Sequence, residues 1–286
     1  MHERPAWFDA ELLPYGSSWV TAAGQDVHYL DVGSGPTLLM LHGNPTWSFL
    51  YRRMIERLSG RFRCVAPDLP GFGLSTAAAG YGFTAAEHCS VVESFVKELD
   101  LRGITMIVQD WGGPVGLGAA VRDPQRYERL VIGNTWAWPS GWWTRSFGQV
   151  MGGPVTGEVL NQRLNLMLSM MLPFMMRRRK LTDAELAMYR GPFPTAESRL
   201  PVRVLPREIS AARPFLQDLE QRLSTIRDLP SLLLWADADI AFRAGERRRW
   251  QQILTERSDH LLAGAGHFWQ DDAGEEAADV LAEWWG

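Results

Sequence analysis

The chain is expected to fold as α/β, with a mostly parallel, twisted sheet flanked by helices and a helical insertion. Three observations lead there. Short apolar runs alternate with amphipathic stretches from about Ser17 to Ala137. Between Pro139 and Arg222 the runs give way to helical patterns rich in Met, Leu and Arg. After that segment, strand-like runs resume and the chain closes on an amphipathic stretch.

In chain order, the candidate strands are VHYLDVG (27–33), TLLMLHG (37–43), FRCVAPDLPG (62–71), ITMIVQD (104–110) and LVIGNTW (130–136). Most are near-continuously apolar, as parallel strands covered on both faces must be. TAAEHCSVVESFVKELD (84–100) opens with Thr84 and Glu87 at capping-box spacing and places Val96 and Leu99 on an apolar face, so it predicts a helix. RGPFPT and RLPVRVLPRE carry the proline breaks of the insertion. LPSLLLWADADI (229–240) and DHLLAGAGH (259–267) return to the sheet, and AGEEAADVLAEWW (273–285) predicts a closing helix. The expected organisation is a core domain of residues 1–138 and 223–286 with a helical cap domain of 139–222.

Composition narrows the function. With 286 residues, 46% hydrophobic and 22% charged, the chain is long enough for one large core plus an insertion. A net charge of −4 and the lack of a basic stripe argue against nucleic acid as a partner. Two cysteines, Cys64 and Cys89, and a start without a basic, apolar leader suggest a reducing cytoplasm. The stretch LNLMLSMMLPFMM (164–176) is too short to span a bilayer and contains Pro173. It reads as a buried or half-buried helix, with a homo-oligomer surface as the other reading. Arg177 to Lys180 read as a solvated helix end. The glycines of DVGSGPT and GFGLS lack nucleotide-loop spacing and are expected to be turns. No spacing of His, Cys, Asp and Glu suits a metal, so neither a metal nor another cofactor is expected.

Chemistry-bearing residues gather where an open α/β sheet places them, at the carboxyl ends of strands. These are His42-Gly43-Asn44 after TLLML, Asp110-Trp111 after MIVQ, Asp239 after LLLWADA and His267 after LLAGA. Asp110 sits where a strand turns into a helix, with Gly112 and Gly113 allowing a tight bend and the helix N-terminus favouring a negative group. Taken alone, Asp110 reads as an ordinary helix N-cap; the other strand-end residues favour a nucleophile. His42 reads as structural, and His2, His28, His88 and His260 as surface or packing residues.

HGNPTWS (42–48), PDLPGFGLS (67–75), VQDWGG (108–113), YRGPFP (189–194) and GAGHF (264–268) resemble the haloalkane dehalogenases of the α/β-hydrolase superfamily. The resemblance covers nearly the whole chain from Trp19, and Asn134 in IGNT is similar to the subfamily numbered III. Val108 departs from the glycine usual two residues before the nucleophile of the superfamily's elbow. The resemblance implies a nucleophile–acid–histidine triad of Asp110, Asp239 and His267, with Asn44 and Trp111 binding the halide. Asp237 is a local rival to Asp239, and Trp142 or Trp143 could add a cap tryptophan to the halide site.

The implied reaction suits those residues. A carboxylate is already ionised at neutral pH and needs no base to displace a halide from an sp³ carbon. Water activated by His267 would hydrolyse the alkyl-aspartate ester, with the backbone N–H groups of Trp111 and Asn44 as oxyanion donors. The partners implied are a halogenated alkane, water and halide. Three competing functions stand beside it. An epoxide hydrolase shares the Asp-His-acid triad but uses two cap tyrosines, whereas this cap has only Tyr189. A fluoroacetate-type enzyme would place arginines beside the nucleophile, and a non-enzymatic binding protein would have a broken triad.

Overall fold

A computed structural model describes residues 3–286, so His2 lies outside the described residues. Eight strands form one sheet: β1 (Ser18–Ala22), β2 (Gln25–Val32), β3 (Thr37–Leu41), β4 (Arg63–Pro67), β5 (Ile104–Val108), β6 (Tyr127–Ile132), β7 (Ser231–Ala236) and β8 (Arg257–Leu262). Their order is β1-β2-β4-β3-β5-β6-β7-β8, antiparallel at β1–β2 and β2–β4 and parallel elsewhere. Every residue of β3, β5 and β7 is buried, which explains their unbroken apolar sequences, whereas β8 at the edge is largely exposed. The antiparallel β1 has no counterpart in the sequence reading, because SWVTA is short and only partly buried.

Around the sheet lie α1 (Arg52–Leu58), α2 (Ala85–Glu98) and α3 (Gly112–Ala120). The Thr84–Glu87 capping box at the start of α2 is formed in both directions. Between β6 and β7 the chain makes α4 (Trp142–Gly152), α5 (Leu172–Met175), α6 (Asp183–Arg190), α7 (Leu200–Ala211) and α8 (Arg213–Arg222), with no strand among them. After β7 come α9 (Ala244–Ile253), α10 (Trp269–Asp272) and α11 (Gly274–Trp285).

Two expectations for the insertion need correction. The stretch 164–176 is not one helix: a π-helical turn at Met167–Met171 leads into the short α5. Its Met167, Leu168 and Leu172 are buried while Leu164, Met170 and Phe174 are exposed. Arg177, Arg178 and Lys180 are solvated as expected, but the run lies beyond the helix end and Arg179 is half-buried. Met176 turns extended after α5, and the Asp272 carboxylate collects the backbone N–H groups of Arg177, Arg178 and Arg179. Arg179 then pairs with Asp271 and Glu185, joining a buried network that also holds Arg52 and Tyr189.

The sheet order positions the site. From β3 the chain goes to β4 on one side and later to β5 on the other, so the β3/β5 boundary is a switch point with a crevice at its carboxyl end. Leu41 pairs with Val108 at that end, which brings the Asn44 loop beside Asp110. The ends of β6, β7 and β8 follow in order and deliver Asn134, Asp239 and His267.

Candidate active site

Asp110 occupies a strained elbow between β5 and α3, with φ +48° in the left-handed region. Such backbone costs roughly 1–3 kcal/mol and persists only where its surroundings enforce it. Here the Asp110 N–H donates to the Asn134 carbonyl at 3.1 Å, and the Thr135 hydroxyl donates to the Asp110 carbonyl at 2.6 Å. The two following glycines are sterically required. A Cβ on Gly112 would fall 2.2 Å from the Leu41 carbonyl oxygen, and one on Gly113 would fall 1.8 Å from Thr135 Oγ1.

The Asp110 carboxylate does not cap the helix. α3 has no side-chain cap, and its N-cap position is Trp111. Instead Asp110 Oδ1 accepts the Asn44 N–H at 2.8 Å, and the Trp111 N–H lies near enough to favour the charged carboxylate. Burial raises the Asp110 pKa above the usual carboxylate value, against the lowering effects of His267 and those two N–H groups.

His267 stands beside it, with Nε2 3.7 Å from Asp110 Oδ2 and Nδ1 2.9 Å from Asp239 Oδ2. Burial alone would pull the imidazole pKa down, but Asp239 and then Asp110 outweigh it, and the net shift is upward. Asp239 is buried, and its second oxygen accepts the Ala241 N–H at 2.7 Å. Asp237 is exposed and accepts the Gly264 N–H at 2.6 Å, away from the imidazole. The structure therefore brings together Asn44, Asp110, Trp111, Asp239 and His267 and leaves Asp237 outside.

Gln109 is a site residue that the sequence reading passed over. Fully buried, its amide NH₂ reaches His267 Nε2 at 2.9 Å and the His267 carbonyl at 3.1 Å. The carbonyl contact fixes the amide orientation, so Nε2 faces a donor and carries its lone pair. With Nδ1–H directed at Asp239, this is the neutral tautomer a general base requires. The only available signal was its place before Asp110, which does not specify where a glutamine points. Phe242, stacked on the imidazole with centroids 5.7 Å apart, was equally illegible.

Asn44, Asp110, Trp111 and His267 open onto a cavity of about 230 Å³. Trp136, Phe242 and Phe268 line it from the sheet side, and Met167, Met171 and Met175 from the insertion. Trp143 lines it too, while Trp142 does not. Asn44 Nδ2 donates to the Val202 carbonyl of α7 at 3.3 Å, which leaves its second amide hydrogen free. His42 has a structural role: Nδ1 meets the Gly43 carbonyl at 2.9 Å, and Nε2 accepts the Leu69 N–H at 2.9 Å. His28 is buried against Asp68, and burial drives the His88 pKa down to about 3.

A strained acid elbow with a histidine and a second acid on the following strand ends defines an α/β hydrolase, and the α/β-hydrolase fold family matches residues 36–273. Haloalkane dehalogenase 2 of Mycobacterium tuberculosis is 38% identical over 97% of this chain and 98% of its own. A haloalkane dehalogenase of Psychrobacter cryohalolentis is 32% identical over 90% of this chain and 86% of its own. The crystal structure of the haloalkane dehalogenase DatA from Agrobacterium tumefaciens superposes with a TM-score of 0.84 at 27% identity, covering 94% of this chain and 95% of that one. The chain belongs to the haloalkane dehalogenases, hydrolases acting on carbon–halide bonds. A cis-3-alkyl-4-alkyloxetan-2-one decarboxylase of Shewanella oneidensis is also similar, at 28% identity over 93% of this chain and 86% of its own.

Proposed function

We propose that the protein hydrolyses haloalkanes to alcohol and halide through a covalent ester on Asp110. The observation that supports this most is the orientation of the Asp110 carboxylate. One oxygen is held by the Asn44 N–H, and the other lies 3.7 Å from the His267 imidazole at the floor of a largely apolar cavity. Oδ2 attacks the carbon, the carbon–halogen bond breaks, and the halide leaves with the bonding pair. The Trp111 indole N–H and the free Asn44 amide hydrogen receive it without a proton. The cap of residues 139–222 closes the cavity above them.

Ester formation changes the state of His267. Asp110 loses its negative charge, so one of the two carboxylates that raise the imidazole pKa is removed. The imidazole then favours its neutral form, takes a proton from water and directs the oxygen at Cγ of the ester. Oδ1 becomes the oxyanion, already bonded to the Asn44 N–H, with the Trp111 N–H as the second donor. Asp239 stabilises the imidazolium, which returns its proton to Oδ2 as the intermediate collapses, so the alcohol departs with Oδ2 and neutral His267 is restored.

The epoxide reading is disfavoured by the one cap tyrosine. The Tyr189 hydroxyl is buried and donates to Asp271 at 2.7 Å, outside the cavity. The similarity to the Shewanella decarboxylase supports a second reading. An oxetan-2-one also offers an sp³ ring carbon, whose leaving group is a carboxylate. Loss of CO₂ from the opened ester would expel Asp110 and form an alkene without water. Incubation with bromoalkanes, epoxides and a 3,4-dialkyl-oxetan-2-one distinguishes these functions. Bromide and alcohol are expected; alkene and CO₂ from the oxetanone with no bromide from any bromoalkane would contradict the dehalogenase function.

A further inference from the structure

Apolar side chains are exposed unevenly over this protein. Among the described residues, nine of the eleven large hydrophobic side chains that are exposed lie between positions 142 and 174. Trp142 is 68% exposed and Trp143 73%, their rings in edge contact at the start of α4. Trp143, Phe147 and Ile240 are exposed and also line the cavity, so they form its mouth. Exposed apolar side chains concentrated in one segment, some of them at a cavity mouth, point to an interaction site.

The charge of the same segment is opposite to that of the whole chain. Residues 142–180 contain six basic side chains and one acidic one, Glu158, for a net of +5 in a chain whose total is −4. Arg163 pairs with Glu158, Arg178 with Glu276, and Arg179 with Glu185 and Asp271. That leaves Arg145, Arg177 and Lys180 with no carboxylate partner among the described residues, and the Arg177 guanidinium lies 4.5 Å over the exposed Phe174 ring.

We propose that this face of the insertion docks on an anionic phospholipid surface, with the cavity mouth at the contact. Tryptophan is suited to the boundary between headgroups and acyl chains, and unpaired Arg and Lys beside it add attraction to anionic lipid. A second copy of the chain is a poorer occupant, because a self-complementary contact would set the unpaired Arg145, Arg177 and Lys180 against their own copies. Binding is peripheral, since no helix among the described residues is long and apolar enough to cross a membrane. An apolar substrate dissolved in the bilayer would then enter the cavity without crossing water. The docking itself does not depend on which bond Asp110 breaks.

Flotation of the whole protein with vesicles tests this. It should float with vesicles of mixed phosphatidylglycerol and phosphatidylcholine, much less with phosphatidylcholine alone, and binding should fall about tenfold as salt rises from 0.05 to 0.5 M. Lipid brominated on its acyl chains should quench part of the wild-type tryptophan emission. Trp142→Asp with Phe174→Asp, or Arg145→Glu with Lys180→Glu, should weaken flotation about tenfold while turnover of a short, water-soluble bromoalkane stays unchanged. Failure to float with anionic vesicles would overturn the proposal. So would equal, salt-insensitive flotation with both lipids, or a lipid-free dimer that Trp142→Asp dissociates while the wild type ignores vesicles.

Discussion

Asn134 donates at 3.0 Å to the same Asp239 oxygen that receives the His267 imidazole at 2.9 Å. Its own carbonyl holds the Asp110 N–H, and its side-chain oxygen accepts the Ala236 N–H at 2.8 Å. One asparagine at the end of β6 thus ties the Asp110 elbow to the Asp239 loop. Asp239→Asn should slow ester hydrolysis by on the order of 10⁴-fold, because the imidazole loses both tautomer control and its counter-charge. Asn134→Asp should slow it by roughly tenfold, by adding a like charge and removing a donor. Asp237→Asn should leave it within about twofold, given ordinary surface tolerance. Steady-state bromide release from the three variants checks the ranking; a crippled Asp237→Asn with a mild Asp239→Asn would reverse the assignment.

Trp111→Phe removes the indole donor and keeps most of the ring. Bromide affinity should fall by the worth of a hydrogen bond to a buried anion, about 1.5–3 kcal/mol. Asn44→Ala should show a similar loss together with altered α7 packing, since the same amide holds the Val202 carbonyl. Bromide titration by tryptophan fluorescence measures both, and unchanged affinity in the two variants would remove the halide role.

Gln109 opposes a proton on His267 Nε2, whereas Asp239 and Asp110 favour an imidazolium. Hydrolysis needs the neutral base, so its rate should rise with pH through the His267 pKa and level off above it. Gln109→Leu removes the opposing donor and should move that limb to higher pH by about one unit. Below the limb, hydrolysis would be about tenfold slower, while the bromide burst is unchanged. Single-turnover hydrolysis measured against pH checks this; a uniform slowing at every pH would make Gln109 merely structural.

Burial works against the Glu185 carboxylate, yet the Thr182 N–H, Arg179 and Arg52 hold its pKa down to about 2, from 4.5. A depressed folded pKa contributes stability that is present above pH 4.5 and lost as pH falls towards 2. Glu185→Gln should therefore lower stability by about 3 kcal/mol at neutral pH, as expected when one partner leaves a buried ionic network. The difference from wild type should shrink in acid. Urea melts at pH 7 and pH 3 give the comparison, and an equal loss at both values would count against it.

Much of this was legible in the sequence because the signals are local. Unbroken apolar runs mark strands buried on both faces, Thr84 and Glu87 mark a helix start, and DWGG marks a bend that only small residues allow. The antiparallel β1, the strand order and the π-helical break at Met167 are set by packing between distant segments. The same holds for Gln109, whose amide meets a residue 158 positions away. Arg179 was misread for a related reason: its partners Asp271 and Glu185 lie far along the chain, so a run of cations looked solvated.

The covalent intermediate is the centre of the account, and His267→Phe isolates it. Halide departs without a proton and Asp110 is a ready carboxylate, so the variant should alkylate once and stop. Given a bromoalkane, it should release about one bromide per active site, and intact-mass analysis with peptide mapping should place the alkyl group on Asp110. Bromide release with no adduct, or an adduct on another residue such as Cys64, would contradict it.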